Sequence, residues 1–551
     1  MINKYNVIEA NNILEQPKLK DKFTCYWPWI ALFIIILSSA LIRMHLLDVP
    51  FERDEGEYAY AGQLILQGIP PYSEVYNMKL PGIYAAYALI MSVFGQTHSG
   101  VHLGLLVINA ATIMLIFFVG KKLYDHLAGV TAAAAFAIFS MGQPVQGIFA
   151  NAEHFVILPA IGGLLLIVNS IDSKKWLSLL TGAVLLGLGF LMKQHGAAFI
   201  VFAGLYLFFC EFRRRPLNWK FFIIRCIVFF IGVLIPFAVT CLVLWQSGVF
   251  EKFWFWTFDY AREYVSAVPL SAGLNELKKN ITLIAGSSFL LSILSFIGLT
   301  SLAWNKNVRH NALFAGGFFL FSFLATCPGF YFRPHYFILF LPSAALLAGI
   351  GATSLHDLFT RYSPFPAFRA IPAVLVIVIL FHSLWQQRSF LFFTDPPSAS
   401  RSTYGLNPFP ESLEIARFLR ENSDINDRIA VIGSEPQIYF YSNRRAATGY
   451  VYTYALMENH PFAKKMQHEM IREIESNNPK FLIFVNVFTS WLVRPDSDMT
   501  IFKWFDYYSW KYYKLVGGID IGFDRTIYLW NQKLQGYSPR SPYWVTVYRR
   551  K

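Results

Sequence analysis

The feature that most constrains this chain is a series of eleven apolar runs, each long enough or nearly long enough to cross a bilayer. A helix needs about 20 mainly apolar residues to span the hydrocarbon core. Only 15% of the 551 residues are charged, against about a quarter in soluble proteins. The sequence therefore predicts a polytopic α-helical membrane protein and excludes a soluble globular one. The predicted spans are 27–46, 101–120, 127–141, 148–169, 176–191, 195–211, 221–246, 281–303, 311–327, 335–353 and 370–386.

Lysine and arginine set the predicted orientation, because cytoplasmic loops of membrane proteins carry an excess of both. With the N-terminal tail, 1–26, inside the cell, every predicted inner segment is basic. The basic residues are Lys18, Lys20, Lys22, Lys121, Lys122, Lys174, Lys175, Arg213, Arg214, Arg215, Lys220, Lys306, Arg309, Arg361 and Arg369. This placement explains the formal net charge of +13 without nucleic acid as a partner. It also predicts that the C-terminal part lies on the periplasmic or extracellular face.

One further apolar run, residues 80–95, is left out of the count of spans. Counting it would move every later basic cluster to the opposite side of the membrane from the N-terminal lysines. The run is also short and starts with a Leu-Pro pair. We therefore predict a juxtamembrane or re-entrant helix on the outer face, within a long first outer loop, 47–100.

A second outer loop, 247–280, carries alternating aromatic and charged residues over 251–264. This pattern predicts a helix that lies in the membrane interface. Anchoring and substrate contact both remain open as its role.

The polar character of the chain returns after residue 390. Prolines, serines and glycines over 394–410 predict a linker, which we place at 391–410, after the transmembrane part, 27–390. Helical and strand patterns alternate beyond the linker and predict a small α/β domain over 411–551. The predicted elements are helices in 411–422 and 460–479 and strands in 428–433, 480–487, 513–519 and 526–530.

Ionisable residues at a membrane edge are functional hypotheses by default, because their desolvation is costly. In the predicted topology such residues from four segments meet at the outer face. Their convergence suits a charged lipid head group, with acids for proton transfer and Lys and Arg for phosphate. The residues are Asp54, Glu55, Glu57, Lys79, Glu153, His154, Lys193, His195, Arg333 and His335.

Structural roles remain open for the same residues. Asp54 and Glu57 fit the spacing of a helix capping box, and the lysines fit side chains that snorkel from helix ends. The histidines fit helix-end hydrogen bonding, since no metal-binding spacing accompanies them. Arg333 directly precedes Pro334 and fits a helix start.

The order of these motifs resembles that of the membrane glycosyltransferases with the GT-C fold. The resemblance is to the bacterial relatives of protein O-mannosyltransferases and of the 4-amino-4-deoxy-L-arabinose lipid A transferase, and it covers about residues 25–390. An Asp-Glu pair, Asp54–Glu55 in RDEGEYAY, follows the first span, and Lys79-Leu80-Pro81 ends the first loop. A Lys-containing turn, MKQHG, follows a later span, and a Tyr-rich, Pro-containing helix, RPHYFILFLP, comes late.

The resemblance implies inverting sugar transfer, at the bacterial plasma membrane, from a polyprenyl-phosphate donor to a protein, lipid or cell-envelope glycan. It implies Asp54 as the general base, Glu55 as its motif partner, and Lys79 and Lys193 as basic residues at the donor phosphate. We expect Arg333 to join the two lysines. A base must take the acceptor proton, and cations must stabilise the leaving phosphate. Accessory candidates are Tyr58, Glu153, His154, His195 and His335.

Some alternatives stay open. The lipid A transferase has an acid directly before its lysine that contributes to a metal site, whereas this chain has Met78. We therefore expect no required cofactor and leave a divalent metal open. A transporter or flippase of lipid-linked saccharides would show inverted repeats and charges near the bilayer midplane. A non-catalytic membrane scaffold would tolerate replacement of the first-loop acids.

Overall fold

The membrane part of the chain is a bundle of helices, seen in a computed structural model that describes residues 19–173, 175–362, 368, 370–523 and 525–551. Three basic positions of the predicted inner segments, Lys18, Lys174 and Arg369, lie outside the described residues. In chain order the helices are α1 (Leu19–His45), α2 (Arg53–Leu66), α3 (Pro81–Phe94), α4 (His98–Leu123), α5 (His126–Phe139), α6 (Ala152–Ser173), α7 (Trp176–Met192), α8 (Ala197–Phe212), α9 (Trp219–Gln246), α10 (Phe250–Trp254), α11 (Ala261–Val265), α12 (Leu270–Ser287), α13 (Phe289–Trp304), α14 (Lys306–Arg309), α15 (Ala312–Leu324), α16 (Leu341–Tyr362) and α17 (Ile371–Gln386).

Each of the predicted spans overlaps an α-helix, but the helices differ in length. Among the described residues, five helices are long and apolar enough to cross a membrane, or six if the bent pair α12–α13 counts as one. Four others, α5, α7, α15 and α17, are apolar but have only 13 to 17 residues. The chain is thus a multi-pass membrane protein, and its eleven crossings stay a prediction.

The predicted continuous span over 281–303 is wrong. Helices α12 and α13 meet at Ser288 with a bend of 105°. The break follows Gly286 and Ser287, and runs of Gly and Ser commonly mark sharp kinks because they favour the helix weakly. The Ser288 hydroxyl accepts a hydrogen bond from the Gln387 amide at 3.1 Å, which holds the kink against the region after α17.

Helices α6 and α7, which lead to two candidate site residues, pack closely through glycines. A Cβ atom added to Gly163 would lie 2.7 Å from the carbonyl oxygen of Gly182, and one added to Gly182 would lie 2.9 Å from that of Gly163. Small residues of this kind let membrane helices approach at the backbone. Glu153 in the first turn of α6 and Lys193 directly after α7 are therefore held close together.

The first outer loop folds into α2 and α3, so the predicted helix over 80–95 is present as α3, with Pro81 in its first turn. The N-cap of α2 is Glu52, whose side chain accepts a hydrogen bond from the Glu55 amide at 3.0 Å. The Glu55 carboxylate accepts one from the Glu52 amide at 3.1 Å. The alternative that Asp54 and Glu57 form the capping box is therefore wrong by two positions, because the acids at 52, 54, 55 and 57 form two pairs with the same three-residue spacing.

The helical pattern over 251–264 is confirmed, as three consecutive segments. These are α10, a π-helical stretch at Phe255–Tyr260, and α11. Trp256 in the middle segment stacks on Tyr76 of the first outer loop, with ring centroids 6.0 Å apart. The second outer loop thus packs against the first.

The C-terminal part contains a five-stranded sheet with the order β1-β2-β5-β3-β4. Strands β1 and β2 pair in parallel, while β2–β5, β3–β5 and β3–β4 pair antiparallel. All four predicted strands are present, and β5 was not predicted. The elements are α18 (Pro396–Tyr404), α19 (Phe409–Glu421), β1 (Ile429–Ile432), α20 (Gln437–Ser442), α21 (Tyr454–Met457), α22 (Ala463–Asn477), β2 (Phe481–Asn486), α23 (Phe488–Trp491), α24 (Thr500–Tyr512), β3 (Tyr513–Ile521), β4 (Thr526–Trp530) and β5 (Trp544–Arg550).

The predicted linker, 391–410, contains the nine-residue helix α18 and overlaps a π-helical stretch at Ser389–Phe393 and the start of α19. The Asp395 side chain caps α18 by accepting a hydrogen bond from the Ser398 amide at 3.1 Å. Pro396 fits the first helical turn, where no backbone donor is needed. The serines and prolines that indicated a linker therefore start a helix.

The C-terminal domain and the first outer loop share one hydrophobic core. Tyr60 of α2 stacks on Tyr439 of α20 at 5.2 Å between ring centroids, and Phe51 stacks on Tyr441 at 5.7 Å. A Cβ on Gly56 would lie 2.6 Å from the backbone nitrogen of Gln437, so only glycine allows this approach without a shift. The domain is therefore packed directly on α2.

Candidate active site

Helix α2 is fixed by its docking face, the stripe of Arg53, Gly56 and Tyr60 that packs on the C-terminal domain. The buried Arg53 guanidinium pairs with the Glu435 carboxylate at 2.7 Å. Its other nitrogens donate to the Ser434 carbonyl at 2.5 Å and to the Tyr454 hydroxyl at 2.9 Å. Because these contacts fix Arg53, the backbone of the next residue is fixed as well, and the Asp54 side chain is directed at the cavity described below.

Asp54 accepts hydrogen bonds on both carboxylate oxygens. Lys79 Nζ donates to Oδ2 at 3.1 Å, and the Tyr452 hydroxyl donates to Oδ1 at 3.0 Å. Burial by itself would raise the pKa of Asp54, but the positive charge of Lys79, and then those of the neighbouring cationic groups, hold that pKa below its ordinary value. The carboxylate is therefore ionised at neutral pH.

Asp54 and Lys79 open into a cavity between the first outer loop, the second outer loop and the C-terminal domain. The walls are largely aromatic, with Tyr76, Trp256, Tyr260, Tyr264, Tyr336, Tyr452 and Tyr454. The charged or titratable residues that line it are Asp54, Lys79, Lys193, His195, Arg333 and His335. One ionised carboxylate thus shares a low-dielectric site with three cationic side chains.

Lys193 and Arg333 differ in their partners. Lys193 pairs with the buried Glu153 carboxylate, and its Nζ lies 4.2 Å from the centre of the Tyr336 ring. Among the described residues, no carboxylate lies within ion-pair distance of Arg333, whose nearest polar contact is the Tyr264 hydroxyl at 3.5 Å. Arg333 is therefore a cation with room for an anionic ligand.

The loop before Arg333 has an unusual backbone. Phe330 and Phe332 have φ values of 54° and 41°, in the left-handed region that large side chains rarely adopt. Such strain persists only where the surroundings impose it, and it concentrates at functional sites. Here it brings Arg333 to the cavity.

Glu57 is buried next to this cavity and does not cap α2. Its carboxylate accepts hydrogen bonds from the Tyr84 hydroxyl at 2.5 Å and the Asn77 amide at 2.6 Å. Burial, and then the charge of Asp54, raise its pKa to about 7, against the opposing effects of Lys79 and the two hydrogen bonds. Through Asn77, a cavity residue, Glu57 holds the segment that leads to Lys79.

Several predicted site residues lie behind the cavity wall. The Glu55 carboxylate contacts His102 Nε2 at 2.8 Å and the Ala150 amide at 2.5 Å, which ties α2 to α4 and to the approach to α6. The centre of the Tyr58 ring lies 5.4 Å from Lys79 Nζ, which sits over the ring face. Glu153 supports Lys193, while His154 is buried in α6 and, like Glu55, is not among the residues lining the cavity.

His195 and His335 do line the cavity, and each has one ring nitrogen engaged. His195 Nδ1 lies 2.8 Å from the Ala325 carbonyl, and His335 Nδ1 lies 3.0 Å from the Gln146 side-chain oxygen. Within the described ranges, no three His, Cys, Asp or Glu side chains are gathered as a metal site.

The sequence left a substrate contact of the second outer loop open, and it did not predict that the C-terminal domain completes the cavity. Tyr260 and Tyr264 come from the former, and Tyr452 and Tyr454 from the latter. The run GYVYTY at 449–454 is a visible aromatic signal. Nothing in its local pattern indicates contact with Asp54, which is 398 positions away.

The sequence profile of the dolichyl-phosphate-mannose-protein mannosyltransferase family matches residues 79–239. No curated protein sequence matches the chain. The fold is similar to ArnT from Cupriavidus metallidurans bound to undecaprenyl phosphate, with a TM-score of 0.55, 14% identity, and coverage of 94% of this chain and 98% of that one. It is also similar to the archaeal oligosaccharyltransferase AglB from Archaeoglobus fulgidus, in complex with an inhibitory peptide and a dolichol-phosphate. That match has a TM-score of 0.54, 12% identity, and coverage of 93% and 75%. The chain is therefore a multi-pass membrane protein with the GT-C fold that ArnT and AglB share, and its residues 79–239 are similar to the protein mannosyltransferase family.

Proposed function

We propose that this protein is a glycosyltransferase that moves a sugar from a polyprenyl-phosphate donor to an acceptor at the outer face of the bacterial plasma membrane. One observation carries the proposal. The ionised Asp54 shares a cavity with Lys79 and with Arg333, a guanidinium without a carboxylate partner among the described residues. Similar folds were solved with undecaprenyl phosphate and with a dolichol-phosphate, and such ligands carry the phosphate that this cavity suits.

The donor phosphate binds between Arg333, Lys79 and Lys193. A guanidinium offers two parallel donors to phosphate oxygens, and an ammonium adds a point charge. As the sugar leaves, the polyprenyl phosphate gains negative charge. Cations placed beforehand in a poorly hydrated cavity stabilise that charge strongly.

Asp54 acts as the general base. An acceptor hydroxyl or amine forms a bond to the anomeric carbon from the face opposite the phosphate, while the bond between that carbon and the phosphate oxygen breaks. The acceptor proton goes to Asp54, the polyprenyl phosphate leaves as an anion, and the anomeric configuration inverts. The acceptor is a protein, a lipid or an envelope glycan.

The Asp54–Lys79 pair gives this reaction an order of events. Without donor, Lys79 lies 3.1 Å from the Asp54 carboxylate and lowers its basicity. A bound phosphate competes for the Lys79 ammonium, so the proton affinity of Asp54 rises only when donor is present. Donor binding thus prepares the base.

The test is sugar transfer in membranes supplied with a panel of labelled undecaprenyl-phosphate sugars. Removing a general base lowers a rate by about 10²- to 10⁴-fold, and we expect a loss of this size for Asp54→Asn. The matched control is Asp48→Asn, since Asp48 is exposed and its carboxylate contacts the Ser99 hydroxyl at 2.6 Å. Transfer by Asp54→Asn at the rate of the control would contradict the role of Asp54.

A further inference from the structure

We propose that Tyr452 of the C-terminal domain is a positioning residue, whose hydroxyl holds the Asp54 carboxylate in the orientation that receives the acceptor proton. The proposal rests on the function proposed above and deepens it. It also gives the C-terminal domain a direct part in the reaction, which its α/β pattern did not indicate.

The two donors to Asp54 bind different oxygens. Lys79 Nζ lies 3.1 Å from Oδ2, and the Tyr452 hydroxyl lies 3.0 Å from Oδ1. Together they fix the rotation of the carboxylate. When the donor phosphate attracts Lys79, Tyr452 remains as the contact that keeps Oδ2 directed at the acceptor.

Tyr452 is itself held by a rigid segment. The following residue, Thr453, donates its amide hydrogen to the Ser434 hydroxyl at 2.9 Å and its own hydroxyl hydrogen to the Ser490 carbonyl at 3.2 Å. The Tyr452 ring meets the Tyr454 ring edge-on, with centroids 4.8 Å apart. At the start of the segment, Gly449 lies so close to Tyr76 of the first outer loop that a Cβ would overlap that ring.

The chemistry of the contact suits positioning. Burial, and then the charge of Asp54, raise the pKa of Tyr452 well above its ordinary value, so the phenol remains a neutral donor. The charged and titratable groups that face Asp54 come from other elements: Lys79 from the first loop, Lys193 from the end of α7, and Arg333 and His335 from the segment before α16. On its own helix, burial and then the charge of Asp54 raise the pKa of both Glu52 and Glu57. Loss of the phenol hydroxyl leaves these charges in place, so Asp54 stays ionised but is less well oriented.

The first experiment compares Tyr452→Phe with Tyr450→Phe. Tyr450 belongs to the same segment, but its hydroxyl donates to Glu469 at 2.9 Å, away from Asp54. Hydrogen bonds to charged groups are worth enough to change a rate by about 10-fold or more. We expect kcat of Tyr452→Phe to fall by about that factor, with the donor KM changed less than about twofold. The acidic limb of its pH–rate profile moves to higher pH, because the carboxylate has lost a donor that favours its ionised form. Tyr450→Phe behaves as the wild type in both respects.

The second experiment needs no sugar transfer. A water-soluble carbodiimide reacts with protonated carboxyl groups, and mass spectrometry of the peptide containing Asp54 follows its modification at pH 5. We expect faster modification of Asp54 in Tyr452→Phe and the wild-type rate in Tyr450→Phe. If the protein transfers no sugar, the proposed function fails while this readout still tests the contact. Equal modification in the wild type and Tyr452→Phe overturns the proposal, as does faster modification with an unchanged kcat and pH profile.

Discussion

Arg53 and Asp54 are consecutive, both are buried, and both form an ion pair, yet the two pairs lie in different surroundings. The Arg53–Glu435 pair is closed, because the guanidinium also donates to Ser434, Tyr454 and Asn407. The Asp54–Lys79 pair faces a cavity that also contains Arg333. The first arrangement satisfies each charge inside the protein. The second keeps charges available to a ligand.

Within a single turn of α2, Arg53 therefore holds the C-terminal domain, while Asp54 faces the cavity. Changes on the docking face, Arg53, Gly56 and Tyr60, should lower stability and loosen the C-terminal domain. Changes at the cavity side should alter donor binding or transfer.

The largest effect is expected for Arg53→Met. It leaves the Glu435 carboxylate buried without its cation, and breaking one partner of a buried pair costs about 3 to 5 kcal/mol. Thermal unfolding in detergent, with proteolysis of the C-terminal domain, measures the loss. The control is Arg417→Met, because Arg417 pairs with Glu414 at the surface and such pairs contribute about 1 kcal/mol or less. If Arg53→Met unfolds at the same temperature as the wild type, the Arg53–Glu435 pair does not hold the C-terminal domain.

Glu57 predicts a pH dependence of stability. Its pKa is raised to about 7 in the folded state, from an ordinary value of 4.5. Between these values the unfolded state loses the proton while the folded state keeps it, so stability falls as pH rises, by on the order of 3 kcal/mol in total. Glu57→Gln imitates the protonated form. We expect its stability relative to wild type to improve from pH 5 to pH 8, measured by unfolding at both values. A constant difference would show that Glu57 is ionised throughout.

Lys79→Gln tests the cavity side directly. The variant loses a charged contact to the donor phosphate, which is worth about 1.5 to 3 kcal/mol, or roughly 10- to 100-fold in affinity. Binding of undecaprenyl phosphate measures it. Lys279→Gln is the control, since Lys279 is 65% exposed on α12. Unchanged donor affinity in Lys79→Gln would remove Lys79 from the phosphate site.

Gly56→Ala changes the docking face of α2. The added Cβ would lie 2.6 Å from the Gln437 backbone nitrogen, and overpacking of this kind costs about 1 to 3 kcal/mol. Gly316→Ala is the matched control, because nothing lies within 4 Å of a Cβ placed there. We expect a lower unfolding temperature for Gly56→Ala alone. Equal unfolding temperatures would show that the C-terminal domain shifts to accommodate the added methyl group at little cost in stability.

Much of this arrangement follows from local sequence patterns. Apolar runs predict the bundle helices and α3, because burial in lipid leaves a strong composition signal. Asp54, Lys79, Lys193 and Arg333 were predicted at one face, since lysine and arginine in the loops set the side on which each segment lies. The cavity places these four side chains together.

Other features depend on contacts that local patterns do not contain. The capping residue was misplaced because Asp is a preferred N-cap residue and Glu is not, and the packing of Phe51 on Tyr441 is a long-range contact. The kink at Ser288 was missed because hydropathy does not register backbone direction. Tyr452 reaches Asp54 only after the C-terminal domain has packed on α2, across 398 positions.

The most direct measurement compares donor binding and sugar transfer in Asp54→Asn. Without the carboxylate, Lys79 has lost its ionic partner and is free for phosphate. We expect the variant to bind undecaprenyl phosphate at least as tightly as the wild type, while its transfer rate falls by about 10²-fold or more. Transfer at the wild-type rate, or loss of donor binding together with transfer, would contradict the assignment of Asp54 as the base paired with a phosphate-binding lysine.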